Sequence, residues 1–131
     1  MTIPTGTTKE DVYVRRAIIV ERLYPLIGTS VPCRAFGKRK VNFVFESIDE
    51  TATRGAKTYE STLAALRIVE ALKKATFVKY DNVQSNKQKK MRFMRVVILQ
   101  SFLSSIGEVK IVVGERRNSC ILQYSITKKS D

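Results

Sequence analysis

The chain opens with a segment whose apolar positions have the spacing of an amphipathic helix. Thr8 can cap this helix, and acidic residues occupy its first turn, where the helix dipole favours them. Proline cannot continue the hydrogen-bond ladder, and glycine readily takes the left-handed conformation that follows many helices. Pro25 and Gly28 therefore predict that the helix ends by about Ile27.

A second helix is predicted after an aperiodic stretch. Ser47–Lys57 carries Asp, Glu, Thr and Gly without a repeating apolar position, so we interpret it as a connecting loop. Ser61 then caps a helix over Thr62–Ala75, in which apolar residues form one stripe between charged ones. Such a stripe is typical of packing against a core.

The first strand signals surround a basic turn. Val31–Phe36 and Lys40–Glu46 flank Gly37–Arg39, and the second run alternates apolar with mostly polar residues, which predicts a β-hairpin. Thr76–Tyr80 is predicted as a short strand. Asp81–Lys90 is polar and basic at its end, so it is expected to be an exposed connection.

The C-terminal part has the pattern of an antiparallel meander. The three predicted strands are Met91–Leu103, Glu108–Val113 and Cys120–Thr127, and bends of hairpin length separate them. Two helices can bury their stripes only on the apolar side of such a sheet, so the predicted fold is α+β: two helices on one face of an antiparallel meander, with an additional N-terminal hairpin. We expect one domain over residues 1–131, with flexible tails at 1–7 and 128–131.

The other face of this sheet is predicted to be polar and basic. It would carry Lys110, Gln123, Ser125 and Thr127, and Arg92 or Arg95 would join it according to the register of the first meander strand.

The excess of positive charge predicts a polyanionic partner. The chain has 24 Lys and Arg against 12 Asp and Glu, for a net charge of +12 over 131 residues. The density is highest in residues 79–131, where 11 basic residues face 4 acidic ones. We expect nucleic acid, with RNA favoured over DNA, and the predicted contacts are Lys87, Lys89, Lys90, Arg92, Arg95, Lys110, Arg116 and Arg117.

The sequence lacks the residues that several classes of catalytic and binding site require. The sequence contains no histidine, which removes the commonest general acid and base near neutral pH. Its two cysteines, Cys33 and Cys120, lack zinc-ligand spacing, and no phosphate-binding glycine motif occurs, so neither metal nor cofactor is expected. No apolar run approaches the roughly 20 residues of a membrane span, and the first residues lack an apolar signal region. We therefore expect no membrane partner and a cytoplasmic location, in a bacterial or host cell.

The order of elements, together with three stretches, resembles the large polyvalent protein-associated domains of phages and conjugative elements. The stretches are LIGTSVPCRAFGKRKVNFVFES, GAKTYESTLAALRIVEALKKATFVKYD and MRFMRVVILQSFLSSIGEVKIVVGERRNSCILQYSITK. Those domains are similar in architecture to the barnase/EndoU/colicin/RelE-like (BECR) ribonucleases, so the resemblance over residues 15–128 implies an α+β module of mobile-element type. The family's acidic or Asn-Gly turn between the last long strands is replaced by Ile106-Gly107, and the resemblance assigns no catalytic residues.

Three functions remain open. The first is a nucleic-acid-binding module, and the second is a non-enzymatic inhibitor or adaptor that binds an acidic host protein. The third is a metal-independent ribonuclease of RelE-like type, in which cations stabilise charge on the phosphate and a tyrosine or lysine moves the proton. Its candidate catalytic residues are Arg92, Arg95, Lys110 and Tyr124, with Arg116 and Arg117 as further cations. Tyr124 falls on the apolar side of its strand, where a packed ring with a satisfied hydroxyl is expected.

Overall fold

A computed structural model of the protein describes residues 2–129, so Met1, Ser130 and Asp131 of the predicted tails lie outside the described residues. The helices are α1 (Lys9–Leu23), α2 (Phe45–Gly55), α3 (Tyr59–Leu66), α4 (Ile68–Lys73) and α5 (Asn86–Lys90). The strands are β1 (Ser30–Pro32), β2 (Lys40–Asn42), β3 (Thr76–Asp81), β4 (Arg95–Leu103), β5 (Gly107–Glu115) and β6 (Ile121–Lys128). The fold is α+β, as the sequence predicts.

The strands form one mixed sheet in the order β1-β2-β6-β5-β4-β3. The pairs from β3 to β6 are antiparallel, which confirms the C-terminal meander, and β1 and β2 form the predicted hairpin. The hairpin joins the meander through β2, which runs parallel to β6 and pairs Val41 with Ile121. The sequence pattern predicts neither this long-range pairing nor the pairing of β3 with β4.

The main core lies between the sheet and the first four helices. Helices α2 and α3 pack on β6, and α1 packs on both of these helices. Alternate positions of the central strands, among them Leu99, Ile111 and Ile126, are fully buried against the helices. This face of the sheet is therefore the apolar one that the α+β prediction requires.

The opposite face was predicted to be polar and basic, and this is correct only in part: Lys110, Ser125 and Thr127 lie there as predicted, but much of the face is apolar. A second apolar cluster lies there, formed by Met91, Phe93, Val96, Ile98, Leu122 and Tyr124. Residues 82–94, including α5, cover this cluster, so the expected exposed connection is largely a packed element. Gln88 of α5 is buried, and its side chain accepts hydrogen bonds from the backbone of Gln84 and Ser85.

A register shift in β6 explains part of this difference. The partner of β6 changes by one residue between Val112 and Val113, so Val112 pairs with Ser125 but Val113 pairs with Gln123. Gln123 consequently shares the helix-covered face with Val113 and is fully buried there, not on the polar face. Strict alternation along the strand fails because the bulge adds a residue that the pattern cannot reveal.

The helical half differs from the prediction in two places. The expected loop at 47–57 is α2, whose buried face consists of Ile48, Thr51, Ala52 and Gly55 at helical spacing. Small and polar residues make this stripe weakly apolar. The expected helix over 62–75 is two helices, α3 and α4, which break at Arg67. Thr58, not Ser61, caps α3, and its hydroxyl accepts from the Ser61 amide at 3.0 Å.

The N-terminal helix agrees more closely. Thr8 caps α1 and accepts from the Asp11 amide at 3.1 Å, and the helix passes into a single 3₁₀ turn after Leu23. The residues before it, predicted to be a flexible tail, contact the fully buried Arg15, whose guanidinium donates to the carbonyls of Pro4 and Gly6. At the other end, Lys128 belongs to β6 and its amide donates to Ser61 Oγ.

Candidate nucleic-acid interface

Four of the eight predicted contacts line one open cavity of about 770 Å³. The cavity lies between the segment that covers the second apolar cluster and the hairpin that joins β5 to β6. Its cations are Lys89, Arg92, Arg116 and Arg117, and its other lining residues are Val83, Phe93, Met94 and Asn118. We refer to it as the cationic cavity.

The hairpin side of the cationic cavity is held by backbone hydrogen bonds. The Arg116 amide donates to the Cys120 carbonyl and the Ser119 amide donates to the Arg116 carbonyl, both at 2.9 Å. Arg116 Nε donates to the Met91 carbonyl at 2.8 Å, which links the hairpin to the covering segment. Arg116 therefore lines the cavity in a fixed position.

The floor of the cavity depends on a glycine. Phe93 packs edge-on against Tyr124, with ring centroids 5.9 Å apart, and its ring lies directly over the backbone of Gly114. A Cβ atom at Gly114 would overlap this ring. The close approach of ring and strand thus requires glycine at this position.

The cavity combines positive charge with the absence of neutralising partners. No acidic residue lines it, and within residues 2–129 none of its four cations forms an ion pair. Several guanidinium and ammonium groups around one concave surface can accept successive phosphates of a nucleic-acid backbone. This grouping is the arrangement that favours polyanion binding.

The other predicted contacts lie elsewhere. Lys87 Nζ is 3.0 Å from Asp49 Oδ2, and this hydrogen bond raises the pKa of Lys87, while Arg16 pairs with the same carboxylate. Lys90 is exposed at the end of α5, outside the lining of the cavity. Lys110 is exposed on β5 and pairs with Gln100 and Thr127 across the sheet.

Arg95 lies on the helix-covered side of the sheet, so it does not share a face with Lys110. It alternates with Val97 and Leu99, and its Nε is 2.7 Å from Glu115 Oε1. Its guanidinium carbon lies 3.9 Å from the centre of the Tyr80 ring. Arg95 is thus partly neutralised and stacked.

A smaller cleft of about 170 Å³ brings two of the catalytic candidates together. Lys110 and Tyr124 line it with Arg54, whose Nη2 donates to the Tyr124 hydroxyl at 3.0 Å. The Ser85 hydroxyl is 3.2 Å from the same oxygen, and Tyr124 is only 1% exposed. The expectation of a packed ring with a satisfied hydroxyl is confirmed. Arg92 belongs to the cationic cavity, and Arg95 lines neither space.

Sequence reasoning missed Arg54, Phe77 and Tyr80. Arg54 was hidden in the segment interpreted as a loop, although the spacing of Ile48, Ala52 and Gly55 is a helical signal. For Phe77 and Tyr80 the sequence offers only an aromatic strand. That this strand forms an edge of the sheet is a property of the topology.

Residues 2–129 contain neither a membrane-spanning helix nor a cluster of metal ligands. In the part of the chain that the structure describes, no helix has the length and apolar composition needed to cross a bilayer. Over residues 2–129, no three His, Cys, Asp or Glu side chains come together as metal ligands. In comparisons with protein-family models, with curated proteins and with solved structures, nothing matches this chain.

Proposed function

We propose that this protein is a nucleic-acid-binding module of phage or mobile-element type that holds phosphates of its ligand in the cationic cavity. The single observation that carries the proposal is the convergence of four unneutralised cations on one concave surface. The net charge of +12 adds a long-range attraction for polyanions. RNA is the favoured ligand because of the resemblance to domains with BECR-like architecture.

The proposal is tested by titrating a fluorescently labelled single-stranded RNA over a series of salt concentrations. Each phosphate contact releases counterions, so log affinity falls with log salt by about 0.7 per contact for a single strand. A variant with Lys89, Arg92, Arg116 and Arg117 all changed to Ala is expected to bind more weakly. Its salt slope should be lower by up to about 3 units, because four contacts are removed.

The matched control removes four positive charges from other surfaces. Lys9, Arg22, Lys57 and Lys73 are exposed and form no ion pair with any residue in the range 2–129. Changing these four to Ala should leave the salt slope nearly as in the wild type. Equal slopes in the two quadruple variants would contradict the cavity as the binding site. Failure of the wild type to bind RNA or DNA at low salt would favour an acidic host protein as the partner.

One single substitution separates binding from stability. Arg92 has φ of 63°, a left-handed conformation that costs a side-chain-bearing residue about 1–2 kcal/mol and glycine little. Arg92→Gly should therefore fold at least as stably as the wild type in urea denaturation, yet bind RNA more weakly. A weaker affinity in this variant cannot be attributed to loss of the fold.

RNA cleavage is a second candidate function, favoured by the grouping of Arg54, Lys110 and Tyr124 around one cleft. In a metal-independent reaction the RNA 2′-oxygen attacks the adjacent phosphorus and the bond to the 5′-oxygen breaks. A base takes the 2′-hydroxyl proton and an acid supplies one to the 5′-oxygen. Arg54 and Lys110 would stabilise the charge on the phosphate oxygens, and the Tyr124 hydroxyl would transfer a proton. The burial of Tyr124 opposes this, since its hydroxyl is enclosed in the cleft and already hydrogen-bonded to Arg54 and Ser85.

The two functions are separated by incubating RNA with the protein in EDTA. We expect full-length RNA after long incubation at high protein concentration, which would remove catalysis for that substrate. Cleavage that is lost in Lys110→Ala and in Tyr124→Phe, with binding retained, would instead make the chain a ribonuclease. Tyr124→Phe keeps the packed ring and removes only the hydroxyl, so it controls for folding.

A further inference from the structure

An exposed aromatic pair lies at the outer edge of the sheet, on edge strand β3. The rings of Phe77 and Tyr80 are in contact, with centroids 4.9 Å apart and an interplanar angle of 61°. They are 47% and 53% exposed, and the guanidinium carbon of Arg95 lies 3.9 Å from the centre of the Tyr80 ring. We call these three side chains the aromatic edge. Large exposed rings on an edge strand contribute little to the core, so packing does not account for them.

The aromatic edge is held in place by a network of ion pairs. Glu115 is buried and accepts from Arg95 Nε at 2.7 Å and from Arg39 Nη2 at 2.5 Å. Arg39 also donates to the Ser119 carbonyl at 2.6 Å, which links the network to the β5–β6 hairpin. Because Glu115 neutralises Arg95 and fixes its orientation, the Arg95 guanidinium acts as a planar stacking group rather than as a free charge.

Pairing with a second copy of the chain is a poor explanation for this edge. The register of β3 with β4 shifts between Phe77 and Lys79, and such a bulge interrupts the ladder that a partner strand would need. Lys79 is exposed on the edge, a residue that commonly protects edge strands from pairing. Two copies at +12 would also repel each other.

The aromatic edge adjoins the cationic cavity along the chain. Phe93 and Met94 line the cavity, and Arg95 follows them directly as part of the aromatic edge. An extended chain advances at most about 3.3–3.6 Å per residue, so Phe93 and Arg95 lie within roughly 7 Å of each other along the backbone. Met94 is 51% exposed at this end of the sheet, between the two features. The aromatic edge lies on the helix-covered face and the cavity adjoins the other face. A flexible strand with phosphates in the cavity would therefore carry a base to the rings by passing around the end of the sheet at Met94.

We propose that Phe77, Tyr80 and Arg95 form a stacking site for an unpaired nucleobase, which makes the ligand of the cationic cavity a single strand. This proposal rests on the proposed function and adds a second, uncharged contact to it. Aromatic rings and guanidinium planes bind bases through their π-faces, and a duplex keeps those faces covered by neighbouring bases. The exposed rings supply sequence-tolerant affinity, while the cavity supplies the salt-dependent part.

The test compares Tyr80→Leu, Tyr80→Phe and the control Tyr13→Leu, which makes the same change at an exposed tyrosine of α1. Their affinities are measured for a labelled single-stranded RNA, for a duplex of the same length and for an abasic strand that keeps the phosphates. Tyr80→Leu should weaken single-strand binding about 5- to 150-fold, the range for one stacked base, with an unchanged salt slope. Tyr80→Phe and Tyr13→Leu should bind as the wild type does, because the first keeps the ring and the second lies elsewhere.

The abasic strand and the duplex give independent readouts. The wild type should bind both more weakly than the base-containing single strand, and Tyr80→Leu should bind all three with similar affinity. A wild type that binds RNA with a steep salt slope, but equally to single strand, duplex and abasic strand, would overturn the stacking site and leave the cationic cavity intact. Equal affinities of Tyr80→Leu and the wild type for the single strand would do the same. A wild type that binds no single strand would overturn both proposals.

Discussion

At the scale of single residues, Glu115 links the fold to the candidate interface. Burial alone would raise the pKa of this carboxyl, but hydrogen bonds from Arg39 and Arg95 and their positive charges outweigh that effect, so the pKa lies below its ordinary value of 4.5. A group with a lowered folded-state pKa stabilises the fold above its unfolded-state pKa. The stabilisation is lost as the pH falls through the folded-state value.

The expected outcome is a free energy of unfolding that decreases as the pH drops below about 4.5. Glu115→Gln should lower that free energy at pH 7 by roughly 1–3 kcal/mol, because charge-assisted hydrogen bonds are lost. It should also make the remaining acid dependence shallower. Urea denaturation between pH 3 and pH 7 measures both effects. Asp49 has a lowered pKa as well, through Lys87 and Arg16, so Asp49→Asn serves as the control for acid sensitivity from another site.

At the scale of elements, the covering segment 82–94 and strand β5 fit together through Gly114. A methyl group at this position would overlap the Phe93 ring, so Gly114→Ala should destabilise the protein by about 1–3 kcal/mol as an overpacked site. Displacement of the ring also deforms the floor of the cationic cavity, so RNA affinity should fall. Urea denaturation and RNA titration measure the two effects.

A double-mutant cycle tests this explanation. Phe93→Ala removes the ring and is itself destabilising, but Gly114→Ala should cost much less in that background, because the overlap no longer exists. Additive free energies for the two substitutions would show that Gly114 is needed for another reason, such as the conformation of β5.

Comparison of the individual helices and strands also shows which parts of the fold the sequence could predict. The elements predicted correctly were α1, which has a clear cap at Thr8, and the β1–β2 hairpin and the meander, whose strands alternate. Helix α2 was missed because Thr51, Thr53 and Gly55 have low helix propensity, although its buried positions lie at helical spacing. The prediction of the polar face was wrong for Gln123 and Tyr124, because the bulge in β6 moves Gln123 to the helix side and leaves Tyr124 on the other.

The sequence predicted which residues belong to the candidate site, but not where on the structure they lie. Arg92 and Arg116 lie 24 residues apart, and the pairing of Arg95 with Glu115 brings the two segments side by side. Arg95 forms an ion pair with Glu115, and Lys87 forms one with Asp49. Both pairs depend on tertiary contacts that no local sequence pattern encodes. Sequence reasoning therefore overestimated the number of free cations.

At the scale of the whole molecule, the charge and the sheet have different roles. The excess of 12 positive charges is spread over both halves of the chain, and ion pairs with acidic residues hold several of the cations. The sheet brings four of the cations without ion pairs together at one end, near the β5–β6 hairpin. The position of the proposed interface is thus set by topology, and net charge alone would not locate it.

The parallel pairing of β2 with β6 also bears on how the protein is made. β6 is the last of the six strands to leave the ribosome, yet it lies in the interior of the sheet between β2 and β5, and α2 and α3 pack on it. Until it emerges, α2 and α3 lack the strand on which they pack, and β5 lacks its neighbour on that side. Contacts as distant as Val41 with Ile121 close slowly, since loop entropy must be overcome first. Folding should therefore occur as one late cooperative step once β6 has left the ribosome, and until then the nascent chain exposes apolar surface to which chaperones can bind.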